Sequence, residues 1–196
     1  MKLKLIITFL LLPFYIVGQT KIPTKEWQIK TAVLGIAKEF REEAKVYGYD
    51  SNGNFTVLKE GTNQYVCLAD NPNKEGFETA AYHKDLDLFM ARGRELKKQG
   101  KTFQEIFDIR ENEVKNGNLK IPYSSTLIVM NGSVNPETKA IENQHIRYVV
   151  YIPYATTKTT GIPSVPHAAG HPWIMNPGTH RAHIMITPTY PETSKD

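Results

Sequence analysis

The chain has 196 residues, with 24 Lys and Arg against 20 Asp and Glu and a formal charge of +4. So small an excess gives no electrostatic reason to expect nucleic acid, which calls for a concentrated basic surface. Cys67 is the single cysteine, so an internal disulfide is excluded and the fold has to rest on its core, a ligand or a metal.

Residues 1–18 read as a cleavable secretory signal. Met1-Lys2-Leu3-Lys4 is the charged start, residues 5–17 are the apolar run and Gly18 is the small residue at the exit. The run is short of the about 20 residues a permanent span needs, and Pro13 interrupts it. No cysteine follows directly to carry a lipid. Cleavage after Gly18 removes Lys2 and Lys4 and halves the formal charge. The expectation is one globular domain over residues 19–196, periplasmic or secreted, with no stable membrane anchor. Nothing in the sequence sets the oligomeric state.

Thr24 is placed to cap a helix reaching about Val46, because Ile29, Val33, Ile36, Phe40 and Ala44 recur on one helical face. Three strands are expected next, over residues 45–50, 55–60 and 64–69. The first two flank Ser51-Asn52-Gly53-Asn54, and Asn-Gly is a strong hairpin signal. Asp70-Asn71-Pro72-Asn73 breaks this antiparallel meander. A helical pair follows. Leu86, Phe89, Met90, Gly93 and Leu96 mark the first helix, which Gly100 ends. Thr102-Phe103-Gln104-Glu105 is a capping box for the second, which runs to Gly117. Strands are expected at residues 126–131, 145–154 and 182–187. Residues 155–179 between the last two show no periodicity, and Trp173, Ile174 and Met175 anchor them as a long ordered loop. Helices and strands in blocks predict an α+β fold, with small antiparallel β-sheets and about three helices.

Two segments, residues 58–67 (Leu-Lys-Glu-Gly-Thr-Asn-Gln-Tyr-Val-Cys) and residues 172–185 (Pro-Trp-Ile-Met-Asn-Pro-Gly-Thr-His-Arg-Ala-His-Ile-Met), resemble stretches of uncharacterised exported bacterial proteins. The resemblance covers most of the chain after the signal. It implies a bacterial, Gram-negative periplasmic setting and supplies no catalytic residue.

Four of the six histidines, His167, His171, His180 and His183, fall within 17 residues. Four imidazoles suit a tetrahedral zinc, and Met175 and Met185 would shift the choice toward copper. Pro166, Gly170 and Pro172 argue against a helix that would align the first pair. The second pair shares a neighbourhood only if Gly178-Thr179-His180 turns before the strand begins, since side chains alternate along a strand. Arg181 with His180 could take a carboxylate or phosphate through its forked donors. Cys67 reads as a buried thiol, with His83 as the one candidate base. Tyr148, Tyr151 and Tyr154 would suit a sugar or aromatic ligand. Asp85, Asp87, Glu111 and Glu113 read as surface charges. Two classes of function stay open. One is an exported protein that binds a small ligand or transition metal through the histidine-rich loop. The other is a small metal-dependent or histidine-based enzyme using the same loop. The first is preferred because no complete catalytic constellation can be named.

Overall fold

Thr24 does cap the first helix. In the computed structural model, which describes residues 22–189, its hydroxyl accepts the Trp27 N–H at 3.3 Å and opens α1 (Lys25–Ala32). The signal segment lies outside the described residues. The helix is far shorter than the expected reach to Val46. It ends where Gly35 passes close over Met130 and Ile128 of the sheet. Beyond it, Ile36 and Ala44 are buried by an irregular path with a 3-10 turn at Lys38–Phe40. Arg41 steadies that path, its Nε and Nη2 each donating at 3.0 Å to the Ile36 and Leu34 carbonyls. The apolar spacing therefore marked burial correctly but not a continuous helix.

β1 (Lys45–Tyr49) and β2 (Phe55–Lys59) form the expected antiparallel hairpin. Gly53 has φ +80°, and its N–H donates to the Asp50 carbonyl at 2.9 Å. β3 (Tyr65–Leu68) does not extend a meander. It pairs with β1 in parallel, on the side away from β2. Gly61 permits this by crossing the start of β1, where a Cβ would lie 2.2 Å from the Lys45 nitrogen. The crossing is tied down by the Thr62 and Asn63 N–H groups, which donate to the Glu43 carbonyl at 2.9 and 3.2 Å.

β4 (Phe77–His83) was not expected, yet it lies between β3 and the later strand β5 (Ser125–Val134). Phe77, Thr79 and Ala81 alternate into the core on one face, a period-2 pattern muted by its small residues. α2 (Asp87–Lys98) and α3 (Phe103–Lys115) follow as predicted, and the capping box of Thr102 with Glu105 is complete. The long strands β5 (Ser125–Val134) and β6 (Ile141–Tyr151) come next, then the short α4 (Thr157–Thr160), β7 (Trp173–Met175) and β8 (His183–Ile186).

All eight strands belong to one sheet in the order β2-β1-β3-β4-β5-β6-β8-β7. Apart from β1 with β3, neighbours are antiparallel. The α+β class holds, but the single sheet is larger than expected and the described helices are four. α1 and the turn after it cover one face through Ala32, Val33 and Ile36 against Val46, Cys67 and Ala81. α2 and the residues around it cover the other, where Leu86 and Phe89 meet Val66, Tyr82, Val149, Tyr151 and Met185. Burying a side chain such as Phe89 contributes about 1.5–3 kcal/mol.

The loop over residues 155–179 is built rather than structureless. Gly178 donates to the Ala155 carbonyl at 2.7 Å and draws its two ends together. Ile174 is fully buried, and its N–H donates to Pro163 O at 2.8 Å. β7 closes the edge of the sheet against β8.

Candidate functional site

The turn that the second histidine pair requires is present. Thr179 Oγ1 donates to the Asn176 carbonyl at 2.9 Å, and the Ala182 N–H donates to Thr179 O at 3.0 Å. His180 therefore sits before β8 rather than within it, under α3. Its ring is fully buried and meets Phe107 and Phe89 edge-on at 4.9 and 5.7 Å.

Glu111 fixes this ring. One carboxylate oxygen accepts both the His180 backbone N–H at 2.8 Å and the ring Nδ1–H at 2.5 Å. The other oxygen faces the Lys115 ammonium at 2.9 Å. Burial alone would push the Glu111 carboxyl up, but the His180 N–H and Lys115 hold it below the ordinary range. Burial pushes His180 down, against the pull of Glu111, so the ring is neutral near pH 7. With its proton on Nδ1, Nε2 is left as an acceptor, and it is buried without a hydrogen-bond partner.

His183 is also buried, which pushes its pKa down, and its Nδ1–H donates to the Arg181 carbonyl at 2.5 Å. It pairs with Tyr151 across β6 and β8, the two rings 5.4 Å apart.

Two guanidinium groups complete the neighbourhood. Arg110 of α3 is 7% exposed and lies over the Phe89 ring at 4.2 Å, donating through Nη1 to Phe89 O at 3.3 Å. Gly93 makes room for it, because a Cβ there would stand 3.0 Å from Nη1. Burial, then the charge of Arg181, pushes Arg110 down to about 10. Arg181 lies over Phe103 at 5.4 Å, and burial pushes the pKa of the Tyr151 phenol up, against the charges of Arg181 and Arg110. The Nε of each arginine is buried without a partner. Among the described residues neither arginine has a carboxylate at ion-pair distance. Glu111 is engaged by His180 and Lys115, and Glu113 by Arg92 at 2.6 Å.

Of the remaining sequence candidates, Met175 is the strand partner of His183, whereas the exposed histidines and Cys67 lie apart from this cluster. His167 and His171 are exposed on the loop. Among the described residues no three His, Cys, Asp or Glu side chains gather as a metal site. Met185 belongs to the core. Cys67 is fully buried against the α1 layer, and burial pushes its thiol up to about 12, so it is an inert packing residue. Glu111 corrects its reading as a surface charge. The signal was there in part: Glu111 stands one helical turn after Phe107, on the same face. Arg110 shares the helical spacing of Phe103, Phe107 and Val114, which sets it on the same face, whereas Tyr151 stood out only as one of several tyrosines.

No protein-family model matches this chain, and no curated protein and no solved structure matches it.

Proposed function

We propose that this is an exported, periplasmic protein that binds a small anion, a carboxylate or phosphate, at Arg110 and Arg181 where the C-terminal loop returns to the sheet. One observation carries the reading. Two like charges share a buried neighbourhood with the Tyr151 hydroxyl, and each keeps a buried Nε–H with no acceptor. Like charges repel more strongly as water is excluded, so an anion between them would relieve repulsion and fill the open donors. Glu111 and His180 hold the turn that presents Arg181.

A metal reading has one observation in its favour. His180 and His183 are each held through Nδ1, which is how outer partners orient metal-bound imidazoles through Nε2. Zinc or copper there would need the exposed His167 and His171 to swing in as further ligands. A histidine-based enzyme has less support, since a general base must reach its substrate and His180 Nε2 has no exposed surface.

Thermal denaturation at low ionic strength, against acetate, succinate, citrate, sulfate and phosphate, tests the anion reading. At least one should raise the melting temperature saturably. Arg181→Gln should weaken that binding by roughly 10-fold or more, the usual scale for a charge-assisted hydrogen bond. Tyr151→Phe should weaken it less. If no anion stabilises the protein, or Arg181→Gln binds as wild type does, the reading is wrong. The export part is checked by N-terminal sequencing of the cell-envelope protein, which should begin near Gln19.

A further inference from the structure

An open concavity lies away from this cluster. It is a cleft of about 830 Å³ where the sheet runs on past the C-terminal end of α2, within the size range of small-ligand sites. Its base is apolar and aromatic, with Leu68 and Ala80 from paired strands and the rings of Tyr49 and Phe55, 5.4 Å apart and edge-on.

The two walls carry opposite charge. On the helix side stand Arg94, Lys97 and Lys98, and Glu95 of the same wall is already paired by Arg92 at 2.8 Å. Arg94 is fixed in direction: its guanidinium lies over Tyr47 and Phe55 at 5.2 and 5.5 Å and donates to the Tyr82 hydroxyl at 3.0 Å and to Asp87 at 3.2 Å. Lys97 and Lys98 make no ion pair among the described residues and are exposed at the rim. On the strand side stands Asp70. One of its oxygens accepts the Glu78 N–H at 2.9 Å, and no described cation lies at ion-pair distance. It is half-buried, and that burial pushes its carboxyl up, the sign of an undercompensated anion. Its acidic neighbour Glu78 already faces Lys74 at 3.9 Å.

We propose that this cleft binds a small zwitterion with an aromatic body, of the aromatic α-amino acid class. The ring lies on Phe55, Tyr49 and Leu68, the carboxylate faces Arg94, Lys97 and Lys98, and the ammonium faces Asp70. The carboxylate meets Lys97 and Lys98, which have no ion pair among the described residues, beside Arg94, which Asp87 already pairs; the ammonium meets Asp70, and the aromatic base supplies the contact area. This site shares no residue with the Arg110–Arg181 cluster and does not depend on that reading.

Isothermal titration of the intact protein with L-phenylalanine, 3-phenylpropionate and phenethylamine tests it. Phenylalanine should bind saturably, and the two single-charge analogues should bind at least fivefold more weakly. Asp70→Asn keeps the acceptor for the Glu78 N–H; it should weaken phenylalanine and leave phenylpropionate unchanged. Lys97→Gln with Lys98→Gln, at exposed positions, should weaken phenylalanine and phenylpropionate and leave phenethylamine unchanged. Arg181→Gln should leave all three unchanged, which separates this site from the anion cluster. Melting temperatures confirm that each variant is folded. No saturable phenylalanine binding, an analogue as tight as phenylalanine, or indifference of phenylalanine to both sets of substitutions would overturn the proposal.

Discussion

His167 and His171 reach solvent on the same loop whose end buries His180 and His183 under α3 and against β6. Composition and spacing treat the four alike, but their surroundings do not. The second pair follows a turn that feeds a strand, so the sheet and α3 close over it, Glu111 and the Arg181 carbonyl take its Nδ1 protons, and burial keeps it neutral. The first pair lies between Pro166 and Pro172 with no such surface to dock on. A histidine cluster in sequence thus becomes one buried, oriented pair and one solvated pair, and the proposed anion site lies with the arginines beside the first of these.

The largest effect expected from this difference is at His180. His180→Ala removes a fully buried ring and strips Glu111 of the N–H it faces. The cost should be about 3 kcal/mol, on the scale of large-to-small core changes, and lower the melting temperature by roughly 10 °C. A midpoint within a degree or two of wild type would show that the two pairs are not energetically different. Glu111→Gln keeps the volume and loses the charge. It should cost about 1–2 kcal/mol, because the amide oxygen can accept both His180 N–H groups only as a neutral acceptor, and the amide NH2 would face the Lys115 ammonium in place of a carboxylate oxygen.

Acid sharpens the same contrast. His180 and His183 titrate below the usual histidine value of about 6.5 in the folded protein, so the unfolded chain takes up protons first. Their contribution is complete above about pH 6.5 and is lost as pH falls toward their folded values. Glu111 acts in the same sense lower down, since its folded pKa is also depressed. Melting temperature should therefore fall between pH 7 and 5, and less steeply in His183→Gln. A flat profile, or an equal slope in the variant, would mean that His183 is not held neutral by burial.

How much of this the sequence carried depended on whether the signal was local. The Asn-Gly turn, the Thr102–Glu105 capping box and the stripe Phe89–Leu96 each lie within one element, and the first and second reappear residue for residue. The order of the sheet was not legible, because placing β3 beside β1 depends on Gly61 crossing Lys45, a contact between distant residues. β4 was missed because Ala80 and Ala81 mute the alternation that marks a strand. At the site, the turn before β8 was the stated condition for bringing His180 and His183 into one neighbourhood, and it is met. Glu111 and His180 are 69 positions apart, and only packing of α3 over the sheet brings them together. Charged residues on a helix rich in Lys and Glu look solvated until the helix has a place.

The smallest effect is expected at the exposed pair. The double variant His167→Ala, His171→Ala removes side chains that touch no core, so stability should change by no more than about 0.5 kcal/mol. The same variant decides whether the two pairs ever act together. On the anion reading, chelator leaves the wild-type melting temperature unchanged, and the double variant binds the stabilising anion as wild type does. If instead zinc or copper raises the wild-type midpoint and the double variant abolishes that rise, the loop must fold inward to complete a four-histidine site, since each ligand is a large share of a tetrahedral shell. Binding of that kind would also weaken in acid, because a protonated imidazole cannot ligate. A rise that survives in the double variant would place any metal at His180 and His183 alone, with the exposed pair outside it.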